Sequence, residues 1–546
     1  ILRRATGAAG LDTLGTGDAR DVYGDLLELA AGEALTASAA DRIRVLTPLE
    51  TQDAAAARLD RIDAAREVWA GLDEAGRESV VDAFADYDEA GGGRRAAVEA
   101  ALELRAVGES GSGPFDRLAD LDADALSEAV DALAAVEGEF GAASEGETEP
   151  LSVGEGADER LDELRTQLAA ARRLDDAALD VLETVRGEGV RSLEAFQSGV
   201  ISHVAEETGV TAGEVRSVAP DDARDETDFV SATLRALVAD LEGQVADREA
   251  AVAGELREAL DEAGDGVEAA VDAVRELAFD LSLARFAATH DLTRPTLVED
   301  GLAVRGARNL FLDGEIQPVT YGVGEHSIVG AAGDDTPNPP SGDRVSVLTG
   351  ANSGGKTTLL ETLCGVALLA SMGIPVPAED AEVGRFDTVV FHRRHASFNA
   401  GVLESTLRSV VPPLTGEGRA LMLVDEFEAI TEPGRAADLL NGLVDLTVER
   451  GALGVFVTHL AEDLSPLPDT ARIDGIFAEG LTDDLGLRVD YQPRFGTVGR
   501  STPEFIVSRL VANAGDRDER AAFQSIAAAV GEEAVQRTLS DAEWQS

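Results

Sequence analysis

Lysine is almost missing from this chain. Of 46 Lys and Arg residues in 546 positions, 45 are arginine, and the single lysine is Lys356. Cysteine also occurs once, at Cys364, which excludes an intrachain disulfide. No apolar run approaches the roughly 18 residues that a membrane-spanning helix requires, so no membrane partner is expected. Positive charge is scarce as a whole: 104 acidic residues against 46 basic ones give a formal net charge of -58. Yet 44% of the residues are hydrophobic, enough to build a core, so disorder is the weaker explanation of the charge. Dense surface carboxylates suit molar salt, where the Debye length shrinks to about 3 Å and self-repulsion is screened. A halophile's protein is the expected source. The chain starts at Ile1 and shows no secretory leader, which suggests a cytoplasmic protein and leaves room for residues upstream of this numbering. On net charge alone, an acidic protein that avoids nucleic acid is an equally good reading.

What is abundant up to about residue 290 is Ala, Leu, Glu, Asp and Arg, the composition of long helices. Leu161, Leu164, Leu168, Ala171, Leu174, Ala178, Val181 and Val185 advance in steps of three and four, predicting one apolar stripe on a charged helix. A second stripe runs through Leu234, Leu237, Leu241 and Val245. Packing of these stripes within one chain is favoured over an intermolecular coiled coil, and an antiparallel helical arm satisfies both. The stretch ISHVAEETGVTAGEVRSVAPDD between them reads as the arm tip, and residues 137–159 read as a flexible connection. From about residue 301 short β-branched runs (RVSVLTG, DTVVFH, ALMLVDE, LGVFVTH) alternate with helical segments, predicting a mostly parallel sheet flanked by helices.

The lone lysine sits in TGANSGGKTT. Residues 350–357 fit GxxxxGK[ST], with an apolar strand before and an apolar helix after, which is the context a phosphate-binding loop demands. Backbone N–H groups around Gly350, Asn352, Gly354 and Gly355 would cradle the phosphates of ATP, helped by the positive end of the helix that Thr357 and Thr358 open. Thr357 offers its hydroxyl to Mg²⁺. Lys356 is a compact charge on a flexible stem that reaches the phosphates; arginine's broad fork does not fit the same narrow loop, so this lysine could not follow the others. Asp425 and Glu426 end an apolar strand 75 residues beyond Gly350, where Asp425 would hold Mg²⁺ and Glu426 would orient or deprotonate the attacking water. His459, at the end of Val455-Phe-Val-Thr, is a candidate sensor of the terminal phosphate. His392 and His395 lack companion Cys or carboxylate ligands, so they are expected to be loop residues near Ser397 rather than a metal site.

These motifs resemble the MutS family of DNA-repair ATPases, and more closely its second branch, which lacks the mismatch-reading module. TGANSGGKTTLLETL, PVPAEDAEVGRFDTVVF, ASFNAGVLESTL and DEFEAITEP are each similar to a family segment, although Glu428 and Ile430 stand where the family usually has small residues. Upstream, RVLTPLETQDAAAARLDRIDAARE and AFDLSLARFAATHDLTRPTL resemble the helical core, and DYQPRFGTVGRSTPEFIVSRL resembles the closing strand and helix. The only Phe-x-Glu, Phe477-Ala-Glu479, follows the ATPase motifs instead of lying in a mismatch reader, and no nuclease-like module is recognised.

The resemblance implies an α plus α/β architecture: a helical core and lever (1–136), the linker (137–159), an arm or clamp with its return to the core (160–297), an ABC-type ATPase domain (298–513) and a helical tail (514–546). It implies a homodimer with composite ATP sites, in which Ser397 and Gly401 of one subunit reach the partner's nucleotide. The function so implied is an ATPase clamp on double-stranded or branched DNA; the alternative is a ribosome or RNA quality-control ATPase. Arg165, Arg172, Arg173 and Arg216 are candidate contacts to nucleic acid, their bland alternative being solvated helix faces.

Overall fold

The computed structural model describes residues 12–108, 113–136, 153–187, 192–314, 316–329, 337–350, 355–394, 400–416, 418–426, 433–460, 463–464, 466–481, 487–499, 503–530 and 535. The chain forms two compact units, one of Ile1–Arg77 with Glu276–Ser546 and the other of Glu78–Arg275.

Among the described residues the first unit holds ten strands: β1 (Thr296–Val298), β2 (Leu302–Ala307), β3 (Val319–Val323), β4 (Val345–Gly350), β5 (Asp380–Gly384), β6 (Thr388–His392), β7 (Ala420–Asp425), β8 (Leu453–Val457), β9 (Ala471–Leu481) and β10 (Leu487–Phe495). A six-stranded sheet has the order β10-β9-β4-β8-β7-β6, parallel except for the β9–β10 pair. β8 (LGVFV) and β7 up to its last residue (ALMLVD) are apolar without interruption because both faces are covered. Side chains alternate between two clusters: Leu421, Leu423, Val455 and Val457 face the helix Lys356–Ser371, whereas Met422, Val424 and Phe456 face the helices Ala400–Thr415 and Pro433–Glu449. The smaller sheet, β1-β5-β2-β3, is mixed, with β5 inserted between β1 and β2. That insertion escapes a reading along the chain, since β5 follows β2 by more than 70 residues.

Residues near the N-terminus belong to this same unit. Thr16 caps the helix Gly17–Ala31 and also donates its hydroxyl to the Phe391 carbonyl at 2.5 Å, while Leu14 bridges Val389, so the segment lies along the β6 edge. The helix then buries Val22, Tyr23, Leu26 and Leu27 in the cluster shared with Leu360, Leu363 and Cys364. Each fully buried side chain of this size contributes on the order of 1.5–3 kcal/mol. His392 is the last residue of β6, paired in register with Val424 and buried with its Nδ1 3.8 Å from Asp18. The expectation of a loop position therefore fails for it, because parallel pairing carries β6 through that residue; His395 lies outside the described residues.

Beneath β4 lies a buried polar knot. Asp474 on β9 is 0% exposed and accepts from Ser346 (2.6 Å), Tyr321 (2.9 Å) and the Arg472 guanidinium (3.0 Å). Arg472 also donates to the Gly322 carbonyl at 2.5 Å, so β3 of the small sheet is tied to β4 and β9 of the large one. A buried ion pair tolerates such desolvation only because its remaining donors and acceptors are satisfied.

The second unit is helical. The predicted first stripe divides into two helices, Glu159–Asp176 and Ala178–Gly187, at Ala177. Asp175 and Asp176 are poor helix formers with negative charge at a helix C-terminus, whereas Asp180 enters the first turn of the next helix, where it is favoured. The stripe still packs as one face. Leu164, Leu168, Ala171, Val181 and Val185 join Leu234, Leu237 and Leu241 of the 64-residue helix Glu226–Thr289 in a single core. Ion pairs Arg165–Glu249 (3.0 Å), Arg172–Glu242 (2.7 Å) and Arg186–Glu226 (2.6 Å) flank the seam. One partner's number falls as the other's rises, so the helices run antiparallel and pack within the chain. Residues 201–222 contribute the second half of the helix Leu193–Thr208 and the helix Ala212–Val218, the latter closed by a reciprocal Thr211–Glu214 cap. Of the 137–159 connection, residues 137–152 lie outside the described residues, and Val153 pairs with Val136.

Candidate functional site

The central strand β4 delivers its C-terminal end to the site. Gly350 closes it at φ +131, and a Cβ there would collide with the carbonyl oxygen of Ile476. Gly355 precedes the helix Lys356–Ser371 at φ +73, where a Cβ would meet the Tyr491 ring at 2.7 Å. Both positions require glycine, for positive φ and for close approach. Asn352 and Gly354 lie outside the described residues.

Lys356 is buried at the start of the helix, and its Nζ donates to the Gly350 carbonyl at 3.1 Å, folding the side chain back over the turn. Thr357 donates its hydroxyl to Asp425 Oδ2 at 2.5 Å. Two residues 68 apart in sequence thus present oxygen atoms to one point. Thr358 accepts at its carbonyl from Thr362 Oγ1 at 2.8 Å, and its side chain stands in the cavity wall.

Glu426 follows β7 with φ +40, a left-handed conformation that a non-glycine residue rarely adopts. Its N–H donates to the Val457 carbonyl at 3.1 Å, which anchors the turn to β8. The carboxylate is held at both oxygens: Arg394 Nη1 donates to Oε2 at 2.5 Å, and His459 Nε2 lies 2.5 Å from Oε1. Burial pushes the Glu426 carboxyl up, but the bond from His459 and the charges of His459, Arg394 and Lys356 outweigh it and hold the group below the usual glutamate value.

These groups wall a cavity of about 830 Å³. Lys356, Thr357, Asp425, Glu426, Arg393 and Arg394 give it charged and polar lining, and Leu312, Ile316, Val319 and Tyr491 give it apolar lining. A site lined by both kinds of group suits a ligand carrying both phosphate and an aromatic base. Gln317 fastens the Tyr491 segment by donating to Asp490 at 3.0 Å and accepting from the Tyr491 N–H at 3.0 Å.

The structure therefore brings together Gly350, Gly355, Lys356, Thr357, Thr358, Asp425, Glu426 and His459. Gly401 is in the helix Ala400–Thr415, and Ser397 lies outside the described residues, as do Glu428 and Ile430. Arg393, Arg394 and Tyr491 were missed by sequence reasoning. The two arginines were visible as a pair after a strand, but nothing local to Tyr491 announces that β10 carries it across to Gly355. Among the described residues no cluster of three or more His, Cys, Asp and Glu groups forms a metal site, and no helix is long and apolar enough to cross a membrane.

No family profile matches the chain. Individual relatives do. The chain is 45% identical over 236 residues to the DNA-binding protein MutS2 of Pyrococcus furiosus, which covers 43% of this chain and 40% of that protein. It is 28% identical over 445 residues to the DNA mismatch repair protein MutS of Natronomonas pharaonis, covering 74% of this chain and 48% of that protein. These relatives belong to the MutS family. Within it, the Pyrococcus relative bears the name of the MutS2 branch, the one whose motifs the sequence resembles. A further MutS family relative, DNA mismatch repair protein MutS 2 of Halobacterium salinarum, is 30% identical over 373 residues, covering 64% of this chain and 40% of that protein. The chain spans less than half the length of each of these three relatives.

Proposed function

We propose that this chain is an ATP-dependent, DNA-binding protein of the MutS type, a dimeric ATPase clamp that responds to DNA structure or damage without a mismatch-reading module. The observation that carries the reading is the Thr357–Asp425 bond, which joins the two candidate nucleotide motifs in the wall of a cavity that Lys356 and Glu426 also line. The names of the relatives, a DNA-binding protein and a DNA mismatch repair protein, support the choice of DNA.

ATP is placed with its phosphates against Lys356 and the glycine turn, and its base between Tyr491 and the Leu312–Ile316 wall. The hydroxyl of Thr357 and the carboxylate of Asp425 are hard oxygen ligands, the donor set that Mg²⁺ favours. When bound, Mg²⁺ neutralises phosphate charge that develops during transfer. Glu426 orients a water molecule toward the terminal phosphorus and takes its proton as the new P–O bond forms; the bond to the leaving ADP oxygen breaks, yielding ADP and inorganic phosphate. His459 holds Glu426 in place from Oε1 and reaches the terminal phosphate as its sensor. Ser397 and Gly401 act in trans, on the nucleotide held by a second copy.

In this reading residues 298–513 are the ATPase domain, residues 1–136 and 160–297 supply the lever and arm, 514–546 form a tail, and the protein works in the cytoplasm. The paired state of Arg165 and Arg172 in the arm favours a structural role for them over phosphate contact. The deciding experiment is steady-state ATP hydrolysis in molar KCl with no addition, plain duplex, mismatched duplex, branched DNA or ribosomes, using Lys356→Ala as the control expected to lose nucleotide. Selective change by branched DNA is the expected result. A response to ribosomes alone would replace the DNA clamp with translation quality control.

A further inference from the structure

Two neighbouring arginines line the cavity, and they are committed differently. Arg393 is fixed: its guanidinium pairs with Glu361, and its N–H donates to Asp18 Oδ2 at 2.7 Å. Glu361 is itself held by Asn309 at 3.0 Å. Arg394 pairs with Glu426, and the two partners have unlike freedom. The Arg394 side chain is 53% exposed, whereas the Glu426 side chain is 8% exposed and its backbone is pinned to β8. In any rearrangement of the pair it is the arginine that moves.

Both residues face the same cavity as Lys356 and Thr357. A phosphate chain entering there offers Arg394 a second oxyanion, more highly charged than a carboxylate and shaped for a two-pronged guanidinium bond. Glu426, for its part, has an arginine on one oxygen and a histidine on the other, so it has little freedom to accept a proton from water until one of them leaves.

We propose that Arg394 exchanges Glu426 for the terminal phosphate of a bound triphosphate, so that one residue both distinguishes ATP from ADP and releases the carboxylate for the attacking water. The exchange rests on the reading of the cavity as an ATP site. ADP lacks the phosphate that would draw Arg394 away, so with ADP the ion pair persists and the carboxylate stays engaged. The exchange moves an ion pair and makes or breaks no covalent bond.

Direct binding tests it. Calorimetric titration of the full chain in molar KCl with Mg²⁺ compares ADP with the non-hydrolysable triphosphate AMPPNP, in the wild type, Arg394→Ala, Arg394→Lys and Lys356→Ala. Loss of a charge-assisted contact to the terminal phosphate should weaken AMPPNP about tenfold in Arg394→Ala and leave ADP within about twofold. Arg394→Lys, which keeps the charge and loses the fork, should fall between, and retained ADP binding reports that each variant is folded. Equal weakening of both nucleotides, or of neither, while Lys356→Ala loses both, would overturn the exchange and leave the ATP site standing. If the wild type binds neither nucleotide, the ATP reading itself falls and the exchange with it.

Discussion

The helical unit, Glu78–Arg275, carries 49 acidic residues and only 16 arginines, whereas the sheet-bearing unit carries 55 acidic and 30 basic residues. The two use their positive charge differently. In the helical unit Arg165, Arg172, Arg186 and Arg248 each meet a carboxylate across a helix seam. In the sheet-bearing unit Lys356, Arg393 and Arg394 converge on one cavity from β4 and β6, elements far apart in sequence. A parallel sheet gathers strand ends at one edge, where ligands bind, while an antiparallel helix pair spreads its charges along its length. The same residue types therefore make a site in one unit and a solvated seam in the other.

The sharpest break in this comparison comes from the cavity. Glu426→Gln keeps the shape of the side chain but removes the proposed base, and ATP hydrolysis should fall about a thousandfold with ATP still bound; hydrolysis at the parental rate would show that another group activates the water. Next is the buried knot under β4. Asp474→Ala leaves the Arg472 guanidinium buried without its main partner and should cost about 4 kcal/mol in urea unfolding at fixed salt; a loss below about 1 kcal/mol would mean that Asp343, 3.5 Å away, suffices for Arg472. In the helical unit the apolar stripe should matter more than its charges. Leu237→Ala opens a void in a core whose members are nearly all buried and should cost about 3 kcal/mol in the same measurement. Arg172→Ala breaks a pair whose side chains are 57% and 48% exposed and should cost less than about 1 kcal/mol. If the last two were reversed in size, the seam ion pairs rather than the stripe would be what joins the helices.

Much of this was legible from local pattern. Leu234, Leu237 and Leu241 lie where the three-and-four spacing put them because helix geometry repeats over a few residues, and β7 and β8 stand out as apolar runs. The break at Ala177 was not legible: two aspartates weaken a helix without ending the periodicity of the face, so the stripe reads straight through. Of the residues gathered at the cavity, Gly355, Lys356, Thr357, Asp425 and Glu426 could be picked out because a glycine-rich turn before a helix and a carboxylate pair after a strand are patterns read from residue types at set spacings. Arg394 and Tyr491 could not, since arginine and tyrosine serve many purposes and only their position selects one.

Sequence alone thus determined the element types, the apolar faces and several of the residues that line the cavity, above all the single lysine at Lys356. Only the tertiary structure decided that Thr357 and Asp425 share a hydrogen bond, that Tyr491 closes on Gly355, that Thr16 ties the N-terminal helix to the β6 edge, and that Arg394 holds the carboxylate of Glu426. The reason is the range of the forces involved. Helix and strand preferences act over neighbouring residues, whereas these contacts join positions from 32 to 375 apart, and they form only once burial of both sheets has fixed which strand ends meet.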